Sequence, residues 1–124
     1  MTAYGYIILG AVFGAPLRYY LQGVVQGSTS SLFPVGTLVV NLTGCLLIGL
    51  LLTLAQERGV LGPNARLALV TGFLGSYTTF STFAYESFQE LRGTEVVYLG
   101  ANVIASVIGG LLAVWVGTTI ARWV

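Results

Sequence analysis

Charge is what most restricts this chain: five Arg and four Glu are its only charged side chains, and it has no Lys, Asp or His. They fall so that residues 1–17, 19–56, 67–85 and 96–121 carry none of them. Each run approaches or exceeds the roughly 18 apolar residues that a bilayer crossing demands. A soluble domain is about 25% charged, whereas this chain is 7% charged and 56% hydrophobic, with a mean hydropathy of +0.88. That excludes an ordinary cytosolic domain and predicts an integral, multi-pass membrane protein.

The same arithmetic removes other classes. A net charge of +1 without a basic cluster gives a phosphate backbone little to hold, so nucleic-acid binding is excluded. Without His or Asp, and with Cys45 alone inside an apolar run, there is no metal-ligand set of the usual kind. Nor is there a Ser/His or Cys/His pair for nucleophilic catalysis, so an enzyme is not expected. The first apolar run is too long for a signal-peptide core and lacks a charged start, so it reads as a mature helix.

The run 19–56 contains Gly27-Ser28-Thr29-Ser30-Ser31 and then Pro34, a polar cluster followed by a helix-start proline, and so holds a turn. Four membrane helices follow, over residues 3–25, 33–55, 65–88 and 96–122, joined by short loops into a single domain, 1–124. The second turn runs from Glu57 to Asn64 and the third from Glu90 to Glu95. Arg58, Arg66 and Arg122 fall at one face, Arg18 and Arg92 nearer the other, a balance that sets no strong orientation and permits insertion both ways. Seventeen Gly in so short a chain imply close helix packing, with Gly10 and Gly14 forming a small-xxx-small face in the first helix.

Polar residues inside the spans are the candidate functional groups. Gly72 and Gly75, followed by Ser76, Thr78 and Thr79, weaken the third helix near the bilayer centre, and a break is expected between Gly75 and Thr79. Such a break aims carbonyls at a point, the chemistry a dehydrated monovalent cation needs; the alternative is an intact helix whose hydroxyls bond back one turn. Phe80 and Phe83 share a face and either pack or turn their positive ring edges to an anion. Asn41 bonds across a helix interface or lines a wet path, and Asn102 with Ser106 repeats that choice in the fourth helix. Arg18, well inside the first span, is functional or snorkels to the headgroups. Thr78, Thr82 and Glu86 form a polar stripe leading from the bilayer centre toward one surface. Donors outnumber buried carboxylates along these stripes, which favours an anion path over a cation path.

At Gly72-Phe73-x-Gly75-x-x-Thr78-Thr79-Phe80-Ser81-Thr82-Phe83 the sequence resembles the Fluc (CrcB) fluoride-channel family. The similarity extends to Gly10-x-x-x-Gly14-Ala15-x-x-Arg18-Tyr19 and to Gly36-Thr37-Leu38-x-Val40-Asn41-x-x-Gly44, in the family's order and spacing. It implies an all-α, dual-topology homodimer of antiparallel subunits in a bacterial inner membrane, passively exporting fluoride and lowering its cytoplasmic level. By matching position it implies that the edges of Phe80 and Phe83 meet fluoride and that Asn41 donates its amide. Ser81, Thr82 and Ser106 would line the pore, with Arg18 in the vestibule. It further implies a structural Na⁺ at the dimer centre, held by the backbone carbonyls of Gly75 and Thr78. Two positions depart from the family pattern: Ser76 stands where a second Gly is usual, and Asn102 where a Tyr is common.

Two rivals belong to other classes. A small multidrug exporter is also a four-helix antiparallel dimer but needs a membrane-embedded Glu in its first helix, which this chain lacks. A non-transporting assembly subunit would use the Gly faces only as scaffold and would carry no ion.

Overall fold

The computed structural model describes residues 1–124, and the chain is helical almost throughout. Helix α1, Ala3–Gly27, starts at Thr2, whose hydroxyl accepts from the Gly5 amide. Helix α2, Val35–Gln56, begins two residues later than the sequence pattern predicts. Pro34 takes the N-cap position with ψ of 65° and has no side chain able to cap, and Phe33, preceding a proline, is disfavoured in the helical region. Gln26 of α1 supplies the missing cap: its Oε1 accepts from the Gly36 amide at 3.0 Å, while its Nε2 donates to the carbonyls of Ser31 and Phe33, each at 3.2 Å. One side chain thereby fixes the α1–α2 hairpin.

Helix α3 covers residues 63–77, entering at Pro63, where the absent N–H costs nothing. It is α-helical over Pro63–Arg66, π-helical over Leu67–Leu74 and α-helical again over Gly75–Tyr77. Thr78 and Thr79 then have extended backbones, with φ/ψ of −84°/157° and −148°/112°. Helix α4, Phe80–Arg92, follows, capped by Thr79, whose Oγ1 accepts from the Thr82 amide at 3.3 Å. The third turn is shorter than the sequence suggests: α4 continues to Arg92, so Glu90 is helical and buried rather than in a loop. Helix α5 is Val96–Trp123.

Helices α1, α2 and α5 are each long and apolar enough to cross a membrane. They pack as two parallel pairs, α1 beside α3 and α2 beside α5, because glycines allow backbone to meet backbone. Gly10 faces the Ala68 carbonyl and Gly72 the Ile7 carbonyl, while Gly49 faces the Val114 carbonyl and Gly117 the Leu46 carbonyl. A Cβ at any of these four would collide with main chain, so close helix packing requires glycine at each. The interior centres on Val40, Leu74 and Tyr77. Only 18 of 124 residues are buried, and apolar side chains such as Ile8, Phe13, Leu111 and Trp115 stand exposed along the helices. In water that surface would be prohibitive; in a multi-pass membrane protein it faces lipid or another protein.

Candidate functional site

Where the helical run is interrupted, the amides that would close the next turn are used elsewhere. The Thr79 N–H donates to Asn41 Oδ1 at 2.8 Å, and Asn41 Nδ2 donates to the Thr79 carbonyl at 3.0 Å. This two-point clamp fixes the orientation of the Asn41 amide and holds Thr79 against α2. It also commits one Nδ2 hydrogen to the backbone, leaving the other for the adjacent cavity. The Thr82 N–H turns to Thr79 Oγ1. The carbonyls of Gly75 and Thr78 therefore lose the donors four residues ahead that a continuous helix would provide.

Other groups of the interruption find partners. The Thr78 amide and hydroxyl both donate to the Leu74 carbonyl, at 3.1 and 3.0 Å. Ser76 Oγ bonds back to the Gly72 carbonyl at 2.8 Å, so the hydroxyl at this departure from the family pattern braces the turn before the interruption. Arg18 Nε donates to the Ser76 carbonyl at 3.2 Å, placing a cation at the carbonyl end of α3, where it complements the helix dipole.

A cavity of about 370 Å³ opens beside the interruption. Asn41, Gly75, Thr78, Phe80, Phe83 and Ser106 all line it, bringing together residues from α2, α3, α4 and α5. The two Phe rings lie 5.8 Å apart, centroid to centroid, inclined at 50°. Phe80 is 78% exposed, an expensive disposition for a ring in water and one that leaves its edge available. Cys45 and Thr79 also line the cavity, although the sequence pattern marks Cys45 only as a lone apolar residue and Thr79 only as the end of the expected break. The spacing Thr79-x-x-Thr82 is a helix-cap pattern that marks Thr79 in retrospect.

Three expected residues do not line this cavity. Ser81 is exposed and does not line the cavity. Thr82 also lies outside it, its hydroxyl accepting from Thr79 Oγ1 at 3.0 Å. Arg18 is occupied at the Ser76 carbonyl. Asn102, 1% exposed, serves as interhelical glue: its Nδ2 donates to Ser87 Oγ and its Oδ1 accepts from Ser106 Oγ, both at 3.3 Å. The polar stripe also acquires a partner, since Thr37 of α2 donates to Glu86 Oε1 at 2.7 Å.

Known proteins resemble this chain over nearly its whole length. The family model described as "CrcB-like protein, Camphor Resistance (CrcB)" matches residues 5–118. A protein of Chloroflexus aurantiacus named "Fluoride-specific ion channel FluC" is 47% identical over 117 residues, covering 94% of this chain and 93% of that protein. Proteins of the same name from Nitratidesulfovibrio vulgaris and Solibacter usitatus are 41% and 46% identical, each covering about 95% of both chains.

Proposed function

The chain belongs to the CrcB-like family, and from that premise we propose that it is a fluoride-selective ion channel that passively exports fluoride across the membrane. It is a channel and not an enzyme. The observation that carries the reading is the convergence of Asn41, Phe80, Phe83 and Ser106 on one cavity beside the interrupted helix, in a chain whose relatives over nearly its whole length are named fluoride channels. Fluoride is small and strongly hydrated. A narrow route that replaces its water with an amide hydrogen and positive ring edges selects it over chloride, which is too large to be surrounded the same way. Ser81 and Thr82, outside the cavity, meet the ion between it and the surface, and Arg18, bonded to Ser76 through Nε alone, raises anion concentration at the mouth with the rest of its guanidinium.

In this reading α3 and α4 form one broken membrane span. Two copies cross antiparallel at their interruptions, which the balanced Arg distribution permits. The carbonyls of Gly75 and Thr78, deprived of their helical donors, then meet their symmetry mates and hold a structural Na⁺. That pairing also covers the exposed Phe80. Neutral carbonyls fix a cation without a route for its release, so the Na⁺ is not transported. Neither an exporter of the multidrug type nor a silent assembly subunit is favoured by the relatives.

The experiment is fluoride and chloride efflux from liposomes containing the purified protein, with currents recorded under a Na⁺ gradient. Rapid fluoride efflux, chloride retention and a reversal potential indifferent to Na⁺ are expected. Equal chloride efflux would overturn the selectivity, and a reversal potential that follows Na⁺ would overturn the structural role of the cation.

A further inference from the structure

Three of the five Arg are engaged within the chain: Arg18 at the Ser76 carbonyl, Arg92 over the Phe88 ring at 5.8 Å, and Arg122 on Glu57. Arg58 and Arg66 are exposed and take no part in an ion pair. Arg66 lines a cavity of about 580 Å³ at the junction of α2 and α3, with Ala55, Leu61, Pro63, Leu67 and Thr71 and no acidic residue. Arg66 and Thr71 are five residues apart, which an α-helix of 3.6 residues per turn would separate by about 140°. The π-helical winding that begins at Leu67 closes five residues back and brings both to one side. Thr43 and Thr119 return their hydroxyls to carbonyls four residues back, at 2.8 and 2.9 Å, whereas the exposed Thr71 hydroxyl makes no bond within the chain. The depth of the cavity follows from its surroundings. Ala55 lies in the last turn of the membrane-length α2, and Asn64 bonds Tyr6 near the start of α1, while Arg122 at the end of α5 bonds Glu57. That end of the bundle also carries Tyr4 and Trp123, 77% and 86% exposed, as residues at headgroup level are.

We propose that this cavity binds an anionic phospholipid of the phosphatidylglycerol class. The Arg66 guanidinium and the Thr71 hydroxyl hold its phosphate, and an acyl chain lies on Leu61 and Leu67. A guanidinium matches a phosphate with two parallel hydrogen bonds, and a basic pocket between membrane helices is the usual seat of an anionic headgroup. Charge selects the anionic lipid over a zwitterionic one. The ammonium group of a zwitterionic headgroup would find no acid in the cavity, since none lines it and the nearby Glu57 is bound to Arg122. The apolar walls select a lipid over a free anion, which would leave Leu61 and Leu67 uncovered. The site shares no residue with the cavity beside the helix interruption and does not depend on the fluoride reading.

The test is native mass spectrometry of the purified detergent-solubilised protein, titrated with dioleoylphosphatidylglycerol or with dioleoylphosphatidylcholine. Saturable binding of one phosphatidylglycerol per chain is expected, tighter than phosphatidylcholine by about tenfold. Arg66→Gln should weaken it by about tenfold and Thr71→Val by about fivefold. Both side chains are exposed and unbonded within the chain, so each variant should elute as the wild type does. Arg58→Gln removes the same charge from the neighbouring loop but not from the cavity, and should leave binding within about twofold of wild type. Equal affinity for the two lipids overturns the proposal, as does unchanged binding in Thr71→Val. A loss in Arg58→Gln as large as that in Arg66→Gln would show diffuse attraction without a site. Displacement of the lipid by inorganic phosphate alone would make the cavity a site for the free anion and overturn the lipid. None of these outcomes bears on fluoride efflux.

Discussion

Asn41→Asp exchanges a hydrogen-bond donor for an acceptor at the point where the helix is interrupted. In the wild type the amide satisfies both the N–H and the carbonyl of Thr79, at 2.8 and 3.0 Å. An aspartate keeps the first bond and loses the second, turning a carboxylate oxygen toward a carbonyl oxygen. The unpaired carbonyl costs about 1–3 kcal/mol. The larger effect falls on a passing anion: two like charges 4 Å apart at an effective dielectric constant of 20 repel by about 4 kcal/mol. Added to a transit barrier, that slows passage roughly a thousandfold. Asn41→Ala removes both clamp bonds but adds no charge, so it should lose stability of about 2–6 kcal/mol from two orphaned backbone groups, with a smaller loss of flux. Efflux measured with a fluoride electrode on liposomes, beside size-exclusion profiles and thermal unfolding in detergent, separates the two variants. A folded Asn41→Asp protein whose efflux stays within about tenfold of wild type would refute the placement of Asn41 beside the ion.

Phe80→Ile and Phe83→Ile retain most of the apolar volume, and Phe80 is largely exposed within its own chain, so each should cost under about 1.5 kcal/mol in thermal unfolding. Fluoride efflux should nevertheless collapse, because an aliphatic chain has no positive edge. Gly49→Ala drives a methyl into the Val114 backbone and should lower stability by about 1–3 kcal/mol, whereas Gly100→Ala, with nothing nearby to meet, should be neutral or slightly stabilising by the same measurement. Arg122 binds Glu57 with two hydrogen bonds, of 2.8 and 2.7 Å, and chiefly that bond holds the Glu57 carboxyl below its usual 4.5. A depressed carboxyl pKa stabilises the folded state above the unfolded value, and the contribution disappears as pH falls through the folded one. The unfolding temperature of wild type should therefore exceed that of Glu57→Gln at neutral pH and converge with it in acid.

The helices are legible because charge-free runs of bilayer length leave the chain few alternatives, and the spacing of Gly10 and Gly14 by itself marks one packing face. What the sequence could not supply were effects decided by a neighbour. The start of α2 depends on Gln26 reaching across from α1 to cap Gly36. The π-helical turn over Leu67–Leu74 lies where Gly10 and Gly72 bring α1 and α3 into backbone contact, and no local propensity distinguishes it from an α-helix. Asn41 was recognisable as a buried polar group needing a partner. That the partner is a peptide group far along the chain, rather than another side chain, follows only from tertiary structure. Glu90 looked like loop because Gly93 and its charged neighbours suggest a turn; the continuation of α4 to Arg92 buries it instead.

The clamp and the rings are mechanically one unit. Phe80 is the first residue of α4 and Phe83 lies one turn later, so both rings inherit their position from the backbone of Thr79. Thr79 is in turn held from two sides: by Asn41 on its own peptide groups and by its hydroxyl on the Thr82 amide. A ring edge attracts an anion over a short range and in one orientation only, which makes a freely rotating α4 useless for the purpose. The extended pair Thr78 and Thr79 would be a hinge if its hydrogen-bonding groups were left to water. With Asn41 attached it is a fixed corner, and the same corner that turns the carbonyls of Gly75 and Thr78 away from their helix sets the two rings beside the cavity. Preorganisation of this kind is what a short channel needs, since a dehydrated ion gains from its lining only what the lining does not lose in rearranging to meet it.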